Sequence, residues 1–261
     1  MTKRLETCRA IVTGGGSGIG KAICEAIAGE GGSVCVADID DEAARAVAAE
    51  LSAGGANVAA FRADVSSKTD VEAMVGFADK ELGGLTAMVN NAGFADFERD
   101  GDVTGTPTDV WDRTMSVNLF GVFLGCKYGI PVIERNGGGA IVNIASAAGL
   151  LGSYPSQIAY TASKGGVISM SREIAVCYAN RGIRVNTVCP GVTRTPMIEN
   201  LRPSDEAMRA RFRHIPMGRL GEPAETAGMV AFLLSDDAGY ITGQVIAVDG
   251  GAYGAFLTTN D

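Results

Sequence analysis

The amino-acid sequence predicts an α/β fold: a single-domain, Rossmann-type doubly wound sheet of about seven parallel strands with helices on both faces. Short apolar runs alternate with longer segments of helical periodicity along the whole chain, which is typical of successive βαβ units. The short runs are apolar throughout, which indicates strands that are covered on both faces. No linker, repeat or low-complexity tract divides the 261 residues, so we expect one domain over residues 1–261.

The predicted strands are short and apolar, and the predicted helices between them are longer and amphipathic. The strands are Ala10–Thr13, Ser33–Ala37, Val58–Arg62, Ala87–Asn90, Ala140–Ile144, Arg184–Val188 and Gln244–Val248. The helices include Asp41–Ser52, Lys68–Leu82, Trp111–Ile133, Ile158–Arg181 and Ala224–Leu234.

Charge, apolar runs and cysteine spacing restrict the class of function. A net charge of −8 and a pI near 4.8 argue against a nucleic-acid partner, because phosphate contacts require a basic face. We find no run of about 18 apolar residues and no apolar signal region at the N-terminus, so we expect neither a membrane partner nor secretion. None of the six cysteines has C-x-x-C spacing, which favours buried thiols and a cytoplasmic location. No cluster of His, Cys and carboxylates has zinc spacing, so we expect no catalytic metal.

A glycine-rich turn follows the first predicted strand. Ala10–Thr13 runs directly into Gly14-Gly15-Gly16-Ser17-Gly18-Ile19-Gly20, and an apolar helical pattern begins after it. Glycine lets backbone N–H groups approach a phosphate, and a helix N-terminus supplies unpaired donors and partial positive charge. Because the turn has this strand–turn–helix context, it predicts a dinucleotide site.

Asp38 ends the second predicted strand, 18 positions after Gly20. An acidic residue near this offset accepts hydrogen bonds from the adenosine ribose hydroxyls and repels a 2′-phosphate. Ser17 and Ile39 occupy the neighbouring positions where a basic residue would favour NADP, so the sequence favours NAD. The alternative is that Asp38 only begins an acidic helix cap, Asp38–Glu42.

Tyr160 and Lys164 lie four residues apart in a predicted helix, which places both side chains on one helical face. A free tyrosine titrates at about 10, and a neighbouring ammonium lowers that pKa by favouring the phenolate. The pair is therefore a candidate proton-transfer group.

Taken with these residues, further motifs give the whole chain a resemblance to the short-chain dehydrogenase/reductase family, in its compact single-domain branch. The matching motifs are Thr13-Gly14-x-x-x-Gly18-Ile19-Gly20, Asn90-Asn91-Ala92-Gly93, Asn118, Ser146, Tyr160-x-x-x-Lys164, Pro190-Gly191, Tyr240-Ile241-Thr242-Gly243-Gln244 and Val248-Asp249-Gly250-Gly251. The resemblance implies hydride transfer between nicotinamide and a small secondary alcohol or ketone.

The resemblance implies four catalytic residues. Tyr160 is the general acid in reduction and the base in oxidation, and Lys164 lowers its pKa and binds the nicotinamide ribose. Ser146 holds and polarises the substrate oxygen. Asn118 supports a water relay from Lys164, with a structural, helix-bending role as the compatible alternative. The family often has Ser-Ser where this chain has Ala145-Ser146, but the retained serine falls at the catalytic position.

The resemblance also implies the residues that contact the cofactor. Asp64 and Val65 flank the adenine, Pro190 and Val192 pack by the nicotinamide, and Thr195 binds its carboxamide. The full expected set is Gly14, Ser17, Gly18, Ile19, Gly20, Asp38, Asp64, Val65, Asn91, Ala92, Gly93, Tyr160, Lys164, Pro190, Gly191, Val192 and Thr195.

A substrate lid is implied over residues 193–220, and apolar residues are expected to line the pocket. The lid residues are Met197, Ile198 and Leu201, and the facing wall is formed by Leu150, Leu151 and Tyr154, with Phe94 nearby. Arg202, Arg209, Arg211 and Arg213 form either a handle for an anionic substrate or a solvated helix face paired with Asp205 and Glu206. His214, the only histidine, is interpreted as a lid or surface residue. The sequence does not identify the substrate, its stereochemistry or the direction of the reaction in the cell.

Two alternatives to an NAD-linked alcohol dehydrogenase stay open. One is a 3-oxoacyl-thioester reductase acting on acyl-carrier-protein substrates, whose NADPH preference fits poorly with Asp38. The other is a non-catalytic dinucleotide-binding protein, which has no need to retain Ser146, Tyr160 and Lys164. The resemblance further implies a homotetramer, in which Trp111–Ile133 and Ile158–Arg181 pair between subunits and Val245–Phe256 packs at a second interface.

Overall fold

Seven strands form one parallel sheet in the computed structural model, which describes residues 3–199 and 212–255. The strands are β1 (Arg9–Thr13), β2 (Ser33–Asp38), β3 (Val58–Arg62), β4 (Ala87–Asn90), β5 (Gly139–Ile144), β6 (Ile183–Pro190) and β7 (Val245–Val248). Their order across the sheet is β3-β2-β1-β4-β5-β6-β7. The strand order reverses between β1 and β4, and ligands of such sheets bind at the carboxyl ends of the strands at this point.

Helices cover both faces of this sheet. They are α1 (Gly18–Gly29), α2 (Asp41–Ala53), α3 (Lys68–Glu81), α4 (Thr108–Met115), α5 (Gly121–Arg135), α6 (Ile158–Tyr178), α7 (Pro196–Glu199) and α8 (Pro223–Leu234). One core cluster joins the sheet to α3, α5 and α6, and a second joins its other face to α1, α2 and α8. The predicted doubly wound fold is confirmed, because the parallel sheet has helices on both faces. The strands are apolar throughout because both of their faces are covered.

The predicted helix Trp111–Ile133 is longer in the structure and interrupted. α4 and α5 are joined by a π-helical turn over Ser116–Phe120, in which the Gly121 N–H donates to the Ser116 carbonyl five residues earlier. Single π turns inside helices recur at functional sites. The turn contains Asn118, which is fully buried.

Two predictions from composition need correction. The continuous helical stretch from Thr108 to Arg135 is long and apolar enough to cross a membrane by length and composition alone, contrary to the expectation that no such run exists. However, 56% of its most apolar window is buried inside the fold, because α5 covers the sheet. Burial of the thiols is confirmed for five cysteines, but Cys177 is exposed on α6.

Candidate active site

Most glycines of the turn between β1 and α1, together with Gly20 in the first turn of α1, leave no room for a Cβ. A Cβ on Gly20 would lie 1.9 Å from the carbonyl oxygen of Gly14, and Gly14 itself has a φ of 64°. Ser17 precedes α1 without a side-chain hydrogen bond to its first turn. The N–H groups at this helix end therefore have no side-chain cap, which suits a phosphate-binding turn.

Asn91 and Thr13 hold this turn against β4. The Asn91 side-chain amide donates to the carbonyl oxygens of Thr13 at 3.0 Å and Gly14 at 3.2 Å. The Thr13 hydroxyl accepts the backbone N–H groups of Asn91 and Ala92 at 3.0 and 3.1 Å. Thr13 thus links the two motifs, a role that the sequence alone did not assign to it.

Asp38 belongs to this site rather than to the cap of α2. Its Oδ2 accepts the N–H of Gly16 at 2.9 Å, and its Oδ1 accepts the N–H of Asp40 at 3.0 Å. The side chain of Asp40 caps α2 instead, by accepting the N–H of Ala43 at 3.1 Å. No Lys or Arg forms an ion pair with Asp38 within residues 3–199 and 212–255.

Asp64 and Val65 follow β3 at the same edge of the sheet. Hydrogen bonds from the Ser66 hydroxyl and N–H hold the pKa of Asp64 below its usual value, so the carboxylate is stably charged. Val65 is buried and packs against Gly121: a Cβ on Gly121 would lie 2.9 Å from the Val65 Cγ2. The two predicted adenine neighbours are therefore held in fixed positions.

Tyr160 and Lys164 occupy one face of α6, as their spacing predicts. The Nζ of Lys164 lies 5.7 Å from the centroid of the Tyr160 ring and donates to the carbonyl oxygen of Ile144 at 3.0 Å. Lys164 is only 3% exposed. Ile144 ends β5, so the lysine connects the catalytic helix to the sheet.

Ser146 lies just beyond the end of β5 and faces Tyr160. The Ser146 hydroxyl lowers the pKa of the Tyr160 phenol, while burial raises that pKa by more. The Ser146 hydroxyl also accepts the N–H of Ala148 at 3.2 Å, which fixes the short turn that follows. The structure therefore brings three predicted catalytic residues together.

Burial favours the neutral forms of Tyr160 and Lys164, so it shifts their pKa values in opposite directions. It raises the Tyr160 value and lowers the Lys164 value to about 8. The expectation was that Lys164 lowers the pKa of Tyr160. In the structure the net shift is upward, because desolvation of the phenolate raises the pKa by more than the Ser146 hydroxyl lowers it. The phenolate of Tyr160 therefore forms only in the alkaline range, whereas Lys164 loses its proton at a lower pH than an exposed lysine does.

Asn118 is the fourth predicted catalytic residue, and its side chain is hydrogen-bonded to neighbouring protein groups. Its Oδ1 accepts the Phe94 N–H at 2.7 Å, and its Nδ2 donates to the Phe94 carbonyl at 2.9 Å and to the Ser163 hydroxyl at 3.1 Å. A Cβ on Gly93 would lie 3.6 Å from the Lys164 Nζ and 3.7 Å from the Asn118 Oδ1. Gly93 therefore separates the lysine from the asparagine, and both are close to it.

The carboxyl end of β6 carries the remaining predicted cofactor residues. Pro190 is buried, and Gly191 lies so close to Asp249 that a Cβ would be 2.7 Å from its Cα. Thr195 packs above the glycine turn, with its Cγ2 3.3 Å from the Cβ position of Gly18. Residues on β6 and on the glycine turn therefore meet in one groove.

The segment predicted to form the lid is bounded by a small paired element. Thr193 pairs with Gly221, and Arg194 N–H donates to the Gly221 carbonyl at 2.8 Å. Leu201, Arg202, Arg209 and Arg211 lie outside the described residues, as does the side chain of Met197. Arg213 and His214 are exposed. Phe94 and Leu150 pack against the core, whereas Leu151 and Tyr154 are exposed.

Within residues 3–199 and 212–255, no three His, Cys, Asp or Glu side chains come together as a metal site would require. Sequence reasoning also missed Asp100, a buried carboxylate on the loop after β4. Its partners are 59 and 60 residues away, so no local motif announces it.

Comparisons with known proteins agree with this geometry. A family model described as Enoyl-(Acyl carrier protein) reductase matches residues 14–253. The chain is 44% identical over 255 residues to 2-(S)-hydroxypropyl-CoM dehydrogenase 3 of Xanthobacter autotrophicus, covering 96% of this chain and 98% of the relative. It is 42% identical over 253 residues to cyclohexanol dehydrogenase of an Acinetobacter species, covering 96% of each. It also superposes on the crystal structure of a short-chain type dehydrogenase/reductase from Mycobacterium marinum with a TM-score of 0.89 and 33% identity, covering 96% of this chain and 97% of the other.

The family model spans nearly the whole chain, and the relatives compared above are dehydrogenases. The fold, the order of the motifs and the grouping of Ser146, Tyr160 and Lys164 agree with these matches. The protein is therefore an oxidoreductase, and the chain belongs to the short-chain dehydrogenase/reductase family.

Proposed function

We propose that the protein is an NAD-dependent dehydrogenase that interconverts a secondary alcohol and its ketone, with Tyr160 as general acid and base. The observation that carries this proposal is the grouping of Tyr160 with the Ser146 hydroxyl and the Lys164 ammonium, in which Ser146 and Tyr160 are half-buried and Lys164 is buried. An alcohol oxygen that contacts both hydroxyls meets one group to exchange its proton and one to stabilise its charge.

In the oxidation direction, the Tyr160 oxygen takes the proton of the substrate hydroxyl as the carbon loses its hydride. The Ser146 hydroxyl donates a hydrogen bond to the substrate oxygen and fixes its position. Lys164 supplies positive charge that stabilises the Tyr160 phenolate before the transfer, and it passes the proton outward after the tyrosine has been protonated. We assign Asn118 to that exit route through its place beside Gly93 and Lys164. In reduction, the same groups act in reverse.

The residues of the groove fit a dinucleotide. The uncapped N-terminus of α1 and the glycine turn would hold the phosphates, and Asp38 would bind the ribose hydroxyls. Asp64, Val65, Asn91–Gly93 and Pro190–Thr195 would line the remainder. Bound NAD would supply the hydride acceptor for oxidation, and NADH the donor for reduction.

NAD rather than NADP is proposed because of the charge at Asp38. Both carboxylate oxygens accept backbone N–H groups, which hold the side chain in place. Among residues 3–199 and 212–255, no Lys or Arg forms an ion pair with this carboxylate. A fixed carboxylate at this position repels a 2′-phosphate.

The substrate we propose is a largely apolar secondary alcohol, because exposed apolar and aromatic side chains lie on the segments next to Ser146 and Tyr160 in the chain. Leu151 and Tyr154 are exposed on the segment between these two residues, and Phe97 is exposed on the facing loop. One relative is named for cyclohexanol and another for 2-(S)-hydroxypropyl-CoM, and both names describe secondary alcohols, of which cyclohexanol is the apolar one.

We further propose that the protein assembles as a homotetramer. An apolar groove on α4, α5 and α6 is lined by Met115, Leu119, Phe120, Phe123 and Met170. The rings of Phe120 and Phe123 stack on each other and stay about half exposed. Such a patch on paired helices suits contact with a second copy. Of the second predicted interface, β7 is an exposed sheet edge, and Phe256 lies outside the described residues.

One observation favours acyl-carrier-protein substrates: the matching family model is described as Enoyl-(Acyl carrier protein) reductase, which names that substrate class, although for reduction of a C=C bond and not of a 3-oxo group. A 3-oxoacyl-thioester reductase therefore remains the second candidate. Such a reductase is expected to prefer NADPH, and the Asp38 carboxylate disfavours NADPH binding.

A coupled assay tests the proposal. The purified protein is incubated with NAD or NADP and a panel of secondary alcohols, including cyclic, steroid-like and hydroxyacyl members, while absorbance at the NAD(P)H band is recorded. We expect NAD-linked oxidation of cyclic or short secondary alcohols. Turnover confined to 3-hydroxyacyl thioesters with NADP would overturn the proposal in favour of the second candidate.

A further inference from the structure

The catalytic helix is capped by a side chain from a distant loop. Gln157, the residue before α6, gives no side-chain hydrogen bond to the first turn of the helix. Instead, the carboxylate of Asp100 binds two successive backbone groups there: Oδ1 accepts the Ala159 N–H at 3.0 Å, and Oδ2 accepts the Tyr160 N–H at 2.9 Å. The side chain is 7% exposed, so water competes little for these bonds.

The loop that carries Asp100 is fixed to the same turn by further bonds. The Gly101 carbonyl accepts the Ile158 N–H at 3.1 Å, so the first three N–H groups of α6 all donate to this loop. The Thr106 hydroxyl accepts the Gly101 N–H at 2.9 Å and lies 3.4 Å from the Asp100 carboxylate. The cap is therefore part of a bonded unit and not a single contact.

The other end of this loop is tied to a second residue of the site. The Phe94 N–H donates to the Asn118 Oδ1, and the Phe94 carbonyl accepts a hydrogen bond from the Asn118 Nδ2. The segment from Phe94 to Gly101 thus connects Asn118 with the backbone of Tyr160. Nothing in the motifs of the family resemblance assigns a role to Asp100.

We propose that Asp100 is a positioning residue for Tyr160: its carboxylate holds the Tyr160 N–H, fixes the first turn of α6 and so sets the place of the phenol relative to Ser146 and Lys164. The proposal rests on the proposed function of Tyr160. The first turn of a helix frays when its N–H groups lack partners. A displacement of about 1 Å at reacting groups can reduce a rate by about a hundredfold.

The test compares Asp100→Ala with Asp102→Ala in the full-length protein. Asp102 lies in the same loop, but its carboxylate binds only Thr104 and Gly105 and does not reach α6. Three quantities are measured: kcat and KM in the NAD-coupled assay, the Kd of NADH by fluorescence, and hydrogen exchange of the α6 first turn by mass spectrometry with overlapping peptides.

For Asp100→Ala we expect kcat to fall by about tenfold or more, because the phenol is displaced, while KM and the NADH Kd change by less than about threefold. Exchange at Ala159 and Tyr160 becomes faster. Asp102→Ala leaves α6 exchange and kcat near their original values. Asp100→Asn keeps one acceptor oxygen and rescues part of kcat.

Two results would overturn the proposal: faster exchange in Asp100→Ala with unchanged kcat, or an equal loss of kcat in Asp102→Ala. If Asp100→Ala does not fold, Asp100→Asn decides, since unchanged kcat and exchange in that variant contradict the role of the carboxylate. If the unaltered protein oxidises no alcohol, the proposed function fails by itself, and the exchange data still show whether Asp100 holds the turn.

Discussion

The Nζ of Lys164 lies 5.7 Å from the ring centroid of Tyr160 and donates its hydrogen bond to the Ile144 carbonyl, so the charge is held beside the ring by the sheet and not by the phenol. Burial raises the pKa of the tyrosine and lowers that of the lysine to about 8. Both groups therefore resist ionisation, and proton transfer at this site depends on pH.

The first prediction concerns the pH dependence of the two directions of reaction. Oxidation needs the Tyr160 phenolate, and a raised pKa means that its population grows as the pH rises through the alkaline range. Reduction needs the protonated phenol, which lower pH preserves. We expect kcat/KM for alcohol oxidation to rise with pH and that for ketone reduction to fall. A flat oxidation profile from pH 6 to pH 10, measured with stopped-flow or steady-state assays, would contradict this assignment of roles.

The second prediction concerns the cost of burying Lys164. Below pH 8 the lysine is protonated in the folded and unfolded states, so the fold bears the cost of the buried charge. Between about pH 8 and 10.5 the folded protein loses this proton first, and that cost disappears as pH rises. The stability of Lys164→Met relative to the unaltered protein should therefore drop by about 2–3 kcal/mol from pH 7 to pH 10.5.

Urea unfolding of both proteins at the two pH values measures this difference. Lys80→Met is the matched control, because Lys80 is exposed on α3 and its charge is not buried. Its stability difference should stay nearly constant with pH. A difference for Lys164→Met that is equally constant would show that the lysine is not desolvated.

The third prediction concerns the choice between NAD and NADP. Asp38→Asn removes the negative charge while keeping an acceptor oxygen, so the ratio of kcat/KM for NAD to that for NADP should fall by about tenfold or more. Asp40→Asn is the control, because Asp40 caps α2 and does not bind the glycine turn. An unchanged ratio in Asp38→Asn would remove Asp38 from cofactor selection.

The fourth prediction concerns the glycine turn. A Cβ on Gly20 would lie 1.9 Å from the Gly14 carbonyl oxygen, so Gly20→Ala must displace the turn, and we expect the NADH Kd to rise by about tenfold or more. Gly29 ends the same helix, and a Cβ there meets no atom within 4 Å. Gly29→Ala should leave the Kd unchanged and stabilise the fold by about 0.5–1 kcal/mol. Fluorescence titration with NADH separates the two, and equal affinities would contradict the role of the turn.

The sequence predicted the strands well, because a sheet buried on both faces must have apolar strands. β3 and β4 have the predicted bounds, and the others differ by one or two residues at their ends. The catalytic pair was predictable because the spacing of Tyr160 and Lys164 is a local property of one helix. The π turn at Asn118 was not, because it depends on how α4 and α5 pack.

Contacts between distant segments account for what the sequence did not predict. The pKa of Tyr160 depends on the desolvation that the whole fold imposes, and the spacing to Lys164 alone gave the opposite direction. Asp100 reaches α6 from 59 residues away, and Thr13 joins the glycine turn to Asn91. The sequence left a helix cap as the alternative for Asp38, but the structure gives that cap to Asp40 and bonds Asp38 to Gly16, a contact between segments that the sequence does not display.

Tyr160→Phe is the most direct measurement of the proton-transfer role, with Tyr178→Phe as its control, because Tyr178 ends the same helix and lies 18 residues from Tyr160. Because only the phenol oxygen is removed, we expect kcat for NAD-linked oxidation to fall by about 10²–10⁴-fold while the NADH Kd changes less than about twofold. Tyr178→Phe should keep its kcat. A Tyr160→Phe enzyme that retains more than about a tenth of the original kcat would contradict the account.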